Sequence, residues 1–315
     1  MGINRFKKNS TSINYLNGDD PGRMNWAEKK LYYILNNASN SFFPNKVNNK
    51  LDIKKFIPSN IEKRWNNLGM TDTPSRKLCD LFWMELPWNK IKSQLGQINI
   101  FDSGCGNGEY AKKISNWSNN RINSYTGIDM TSHSNWIKLM DVNNSFNFYM
   151  CDYINLDNHL KENTNLFVTQ SSIEHFRYDI IFFNYINSFI EKNKCNTIQI
   201  HIFPSAPCLR LYGFHGYRQY TKRKASIIFD IFRKNSIGIL FELGGNNCND
   251  LHYNYITKQI NNRKNEKRYI EPEEYNILLK EAIARDVISI KKNKPSFYAL
   301  YIHSYSNNSP IFPKE

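Results

Sequence analysis

From Leu95 to Phe203 the chain alternates short apolar runs with stretches in which apolar residues recur every three or four positions. The runs Ile98 to Asp102, Tyr125 to Asp129, Phe146 to Cys151, Leu166 to Gln170 and Thr197 to Phe203 predict strands. Between the last two, Phe176, Ile180, Phe183, Ile186 and Ile190 share one helical face and predict a crossover helix over Glu174 to Lys192. Two more strand-like runs, Ile237 to Leu243 and Phe297 to His303, flank a predicted helix over Pro272 to Ala284. Strands alternating with helices are the mark of a doubly wound α/β domain, here with a mostly parallel sheet of seven strands. Upstream the period changes: Ile61 and Trp65, then Leu78, Phe82 and Leu86, repeat at four-residue spacing and predict a helical cap before residue 95. The first forty residues are polar and Asn-rich, with a turn at Gly18 to Gly22. The pattern divides the chain into an N-terminal segment and cap (1–95) and a core (96–315). An insertion rich in Pro, Gly, aromatic and basic residues interrupts that core at about 204–224.

Composition sharpens this picture only in part. Aromatics at 14% and apolar residues at 40% exclude a disordered chain. A net charge of +14 admits an anionic partner, but an Asn- and Lys-rich composition of the kind an AT-rich coding sequence yields accounts for it equally well. Six cysteines without a C-x-x-C pair suggest neither a zinc site nor a disulfide framework. The opening MGINRFKKNS has no apolar core of a signal peptide, and no apolar run reaches the roughly 20 residues that span a bilayer, so a cytoplasmic protein is expected.

The chemistry gathers at I-N-I-F-D-S-G-C-G-N-G-E-Y, where a strand ends at Asp102 and a helix opens from Glu109. Glycines at 104, 106 and 108 let the backbone pass close to a ligand. The nicotinamide pattern G-x-G-x-x-G is broken by Glu109, whose carboxylate would also repel a pyrophosphate at the helix N-terminus. Asp129 ends the next strand, where its carboxylate can accept from ribose hydroxyls. Asp152, with Tyr153 beside it, ends the third and suits an adenine, the acid taking amino hydrogens while the ring stacks; a helix cap is the alternative for Asp152.

This loop, the acids ending the second and third strands, and S-S-I-E-H-F after the fourth together resemble the class I S-adenosylmethionine-dependent methyltransferases, over roughly Ile98 to His175. The resemblance implies S-adenosylmethionine as cofactor. Its methionine part would lie on Asp102, Gly104, Cys105, Gly106 and Gly108, its ribose on Asp129, its adenine on Met130, Asp152 and Tyr153, and its sulfonium near Gln170 and Ser171. Some members of that family carry a metal on E-x-x-E-H. Here Ser171 takes the first place, a further ligand such as His201 would be needed, and no metal is expected.

Three histidines are candidates for accepting a proton: His175, His201 and His215, with a satisfied core histidine as the alternative at 201. In the insertion Arg210, Tyr212, Tyr217, Arg218 and Tyr220 suggest a grip on a small anionic acceptor, phosphorylated or nucleotide-linked. A similarity to methyltransferases of surface-glycan biosynthesis points to a saccharide and to O-methylation. An RNA methyltransferase, supported by the basic clusters at Arg263 to Arg268 and Lys291 to Lys294, and a non-catalytic cofactor-binding protein are the competing readings.

Overall fold

A computed structural model of the chain describes residues 9–16, 23–259, 266–289, 294–306 and 311–312. Eight strands form one sheet: β1 (Leu51–Lys55), β2 (Ile98–Ser103), β3 (Ile122–Asp129), β4 (Phe146–Met150), β5 (Leu166–Gln170), β6 (Thr197–Pro204), β7 (Ser236–Leu243) and β8 (Phe297–Ser304). Their order is β1-β7-β8-β6-β5-β2-β3-β4, parallel throughout except that β8 runs antiparallel between β6 and β7. Every residue of β2, β6 and β8 is buried, as in the middle of a sheet covered on both faces, and their polar residues, such as Asn99, Gln199 and His201, are buried with the apolar ones. Two clusters cover the two faces. One joins the Pro74–Glu85 and Pro272–Ile288 helices to Ile98, Ile100 and Tyr301. The other joins the Asp179–Asn193 and Lys222–Phe232 helices to Phe101, Phe167 and Phe203.

The sheet has eight strands where seven were expected. Leu-Asp-Ile-Lys-Lys carries too few apolar residues to read as a strand, yet β1 sits at the sheet edge on β7, where burying Leu51 alone suffices. The polar first forty residues contain a helix, Trp26–Phe42, which begins with a capping box: the Asn25 side chain accepts from the Glu28 amide while Glu28 reaches back to the Asn25 amide. The expected turn at residues 18–22 lies outside the described residues. Among the described residues no helix is long and apolar enough to cross a membrane.

This topology places a site before any side chain is considered. From β2 the chain winds outward through β3 and β4, then returns to β5 on the other side of β2 and winds the opposite way. The crossovers leaving β2 and β5 therefore diverge, and a crevice opens outside their carboxyl ends.

Candidate functional site

The crevice at that switch point has a volume of about 400 Å³. Its floor is the loop after β2. Gly104, Gly106 and Gly108 all have positive φ (78°, 55° and 78°), a conformation that side chains with a Cβ resist. A Cβ at Gly104 would stand 2.4 Å from that of Ser172, and one at Gly108 would strike Leu139 and Phe148, so these two positions need glycine for packing. Gly106 differs: a Cβ there meets nothing within 4 Å, and the residue lines the crevice. The backbone amide of Gly106 donates to Asp129 Oδ2 (2.9 Å) and that of Thr131 to Oδ1 (3.2 Å). A carboxylate has about four lone-pair positions, so Asp129 retains acceptor capacity where it lines the cavity.

Cys105, Met130, Tyr153, Gln170 and Ser171 also line the cavity. Tyr153 is fixed by stacking on Phe176, with ring centroids 4.2 Å apart and planes within 4°. Gln170 accepts a bond from Trp83 Nε1 (2.8 Å). Ser171 has φ of 53°, unusual for serine and in keeping with a strained turn at a ligand site. Two predicted contacts fall elsewhere. The Asp152 carboxylate turns into its own loop and accepts from the Ile154 amide (3.1 Å), as a turn cap would, while Cys151 and Tyr153 face the cavity in its stead. Asp102 lies beneath the loop, buried and bonded to the Tyr125 hydroxyl, and so supports the floor without lining it.

Burial, reinforced by the charge of Asp129, raises the Asp102 carboxyl to about 7 against the bond from Tyr125. A raised value in the folded state means that the Asp102 contribution to stability is complete below the ordinary 3.8 and is lost as pH rises through about 7. The wild type should therefore lose stability relative to Asp102→Asn across that window in urea unfolding. Parallel pH profiles would show that the carboxyl ionises normally.

Several lining residues carried no signal in sequence. Arg76, from the first turns of the Pro74–Glu85 helix, reaches the cavity and donates to the Tyr110 hydroxyl (2.9 Å), and Tyr110 also lines it. The Thr73-Pro74 cap and first position announce that helix, but nothing local says that it crosses the crevice. Among the described residues, Arg76 is the one Lys or Arg side chain of the lining, where it stands with the acids Glu109 and Asp129. Residues 263–265 and 291–293 of the two basic clusters lie outside the described residues.

Of the three histidines, His201 follows the core reading and not the catalytic one. It is wholly buried, bonded to Thr169 Oγ1 (3.0 Å) and Gln199 Oε1 (3.2 Å), and burial lowers it to about 3, so it stays neutral in the core away from the cavity. His175 lines the cavity, and His215 meets it edge to face with centroids 4.7 Å apart. The buried Glu174 carboxylate lies beneath both, its Oε1 3.5 Å from His215 Nε2 and 3.9 Å from His175 Nε2.

The expected anion grip does not form. Arg218 is 0% exposed and donates to the carbonyls of Ile173, Phe176 and Arg177 and to Ser10 Oγ, with Asp179 3.6 Å away. Tyr220 is equally buried, its hydroxyl on Ile173 O and Asp179. Both residues bind the insertion to the turn after β5. Arg210 is exposed but lies over the Tyr253 ring, and Tyr212 bonds to Ser75. Tyr217 is half-buried, with its carbonyl taken by Ser12 and Asn14. None of the five lines the cavity.

No protein-family model and no curated protein sequence matches the chain. Among solved structures it is similar to the plantazolicin methyltransferase BamL in complex with SAH, at 11% identity over 78% of this chain and 90% of that one, TM-score 0.41. It is similar also to a SAM dependent methyltransferase from Archaeoglobus fulgidus (14%, 70% and 94%, TM-score 0.40). A third is the Burkholderia thailandensis 1,6-didemethyltoxoflavin-N1-methyltransferase (10%, 70% and 78%, TM-score 0.38). At such identities and scores these likenesses decide nothing about function, which has to rest on the geometry of the crevice.

Proposed function

We propose that this chain is an S-adenosylmethionine-dependent methyltransferase acting on a small-molecule acceptor. The observation that carries the reading is Gly106. Its positive φ, its missing Cβ facing open space and its amide held by Asp129 make a cradle against which a ligand can lie, with Asp129 oxygens, the Tyr153 ring and Gln170 around it. An adenosyl group with a charged amino-acid tail fits this set: Asp129 for ribose hydroxyls, Tyr153 and Met130 against the base, and Arg76 for the tail's carboxylate. S-adenosylmethionine supplies, when bound, a methyl group already activated by its sulfonium. What the protein adds is alignment of the acceptor and control of its proton. For the latter the crevice presents His175, backed by Glu174 and His215.

Titration calorimetry with S-adenosylhomocysteine, followed by transfer of labelled methyl to candidate small molecules, tests the proposal. Absence of binding by the folded protein would end it. Asp129→Ala should weaken that binding about 10- to 150-fold, since a hydrogen bond to a charged group contributes about 1.5–3 kcal/mol. An unchanged affinity would remove Asp129 from the site.

A further inference from the structure

We propose that the outward face of the Trp26–Phe42 helix is a docking surface for a membrane leaflet bearing anionic lipids. The helix carries its polarity the wrong way round. A surface helix of a globular protein turns apolar residues to the core and polar ones to water. Here the inward positions Tyr32, Asn36 and Asn40, four residues apart, all hydrogen-bond. The Tyr32 hydroxyl accepts from the His215 amide (3.2 Å) and from Gln219 Nε2 (3.3 Å). Asn36 Nδ2 donates to the Tyr32 carbonyl (2.9 Å), and Asn40 Oδ1 accepts from Lys224 Nζ (3.1 Å).

The outward positions are apolar: Trp26 is 70% exposed, Leu31 47%, Ile34 63% and Phe42 75%. At about 100° per residue, Ala27, Leu31, Ile34 and Phe42 fall on one side of the helix, with Trp26 and Lys30 along its edge. Exposed apolar side chains continue past the helix at Phe43 and Val47. One exposed apolar residue needs no explanation, but six between residues 26 and 47 mark an interaction surface.

Charge selects the partner. Residues 23 to 50 hold Arg23, Lys29, Lys30, Lys46 and Lys50 against a single acid, Glu28, and the Glu28 carboxylate closes the capping box on the Asn25 amide. Bases and rings are interleaved: Lys30 Nζ lies 3.6 Å from the centre of the Trp26 ring, and the Arg223 guanidinium 5.2 Å from that of Phe43. A second copy of the chain on this face would set these bases against their own counterparts, in a protein of net charge +14. An anionic leaflet instead pairs with them. The apolar side chains enter the headgroup boundary, where Trp is favoured, while the lysine stems reach to the phosphates.

The inward side of the same helix holds the main chain at His215, whose ring meets that of His175 at the crevice. Docking therefore brings the crevice close to the leaflet. The surface stands apart from the crevice chemistry, so either can hold without the other.

The test is co-sedimentation of the full chain with vesicles of phosphatidylcholine alone and of phosphatidylcholine with about 30% phosphatidylglycerol. Binding to the anionic vesicles, weakened by added salt, is expected. Ile34→Ser combined with Phe42→Ser removes two exposed apolar side chains without changing charge, and should weaken partition at least about 10-fold. A thermal melt checks that the double variant folds. Val142→Ser, at an exposed apolar residue of the Asn135–Val142 helix, should leave partition unchanged. No binding to the anionic vesicles overturns the proposal. Equal partition by the wild type and the double variant also overturns it, since only the general pull of a basic protein would remain. Self-association without vesicles that the double variant abolishes would give the face to a second copy, and sinks the membrane reading. S-adenosylhomocysteine binding should be the same in the wild type and the double variant, so failure of the docking surface and failure of the methyltransferase reading are read separately.

Discussion

Gly106→Val is expected to lose S-adenosylhomocysteine binding by more than about 100-fold, which is roughly 2.7 kcal/mol, while the protein still folds. Two effects add. A β-branched residue at φ of 55° is strained by about 1–3 kcal/mol, and its methyl groups occupy the space that the absent Cβ leaves open to the crevice. Gly106→Ala keeps part of the strain and places a single methyl group there, so it should fall between the wild type and valine. Calorimetry gives the affinity and a thermal melt reports the fold. Normal binding by the valine variant would mean that no ligand lies on this loop. Gly104 cannot serve for this test, because a Cβ there collides with Ser172 and would perturb packing instead of the ligand.

Arg218→Ala should destabilise the protein by about 3–5 kcal/mol, the usual cost of removing one partner from a buried ion pair. The guanidinium donates to three main-chain carbonyls and Ser10 and faces Asp179, all of which lose their cation together. Lysine should not rescue the loss, since one ammonium cannot serve the spread of acceptors that a planar fork reaches. Urea unfolding measures the effect. A variant as stable as the wild type with a raised KM for the acceptor would restore Arg218 to the substrate.

The contrast between these two residues separates what was legible in the sequence from what was not. Seven strands, the crossover helix and the glycine loop could be read along the chain, because each depends on its own few residues: the period of burial, a turn that requires positive φ, a cap. β1 and the Trp26–Phe42 helix escaped that reading, the one because an edge strand needs little apolar surface, the other because its apolar face is diluted by Asn and Lys, although the capping box at Asn25 and Glu28 was there to be seen. The lining of the crevice was legible where local geometry makes it, at Gly104, Gly106, Asp129 and Ser171. It was illegible where distant segments meet. A cluster of Arg, Tyr and His in an insertion has the same composition whether it faces solvent or folds inward. Only packing against the turn after β5 decided that Arg218 and Tyr220 are buried struts and that His215 arrives beside Glu174. The sequence by itself determined the succession of the seven strands from Ile98 onward and the loop that can cradle a ligand, since both follow from short-range sterics and periodicity. The tertiary structure alone decided which charged and titratable groups reach the crevice, since their exposure and partners depend on contacts between residues far apart in the chain.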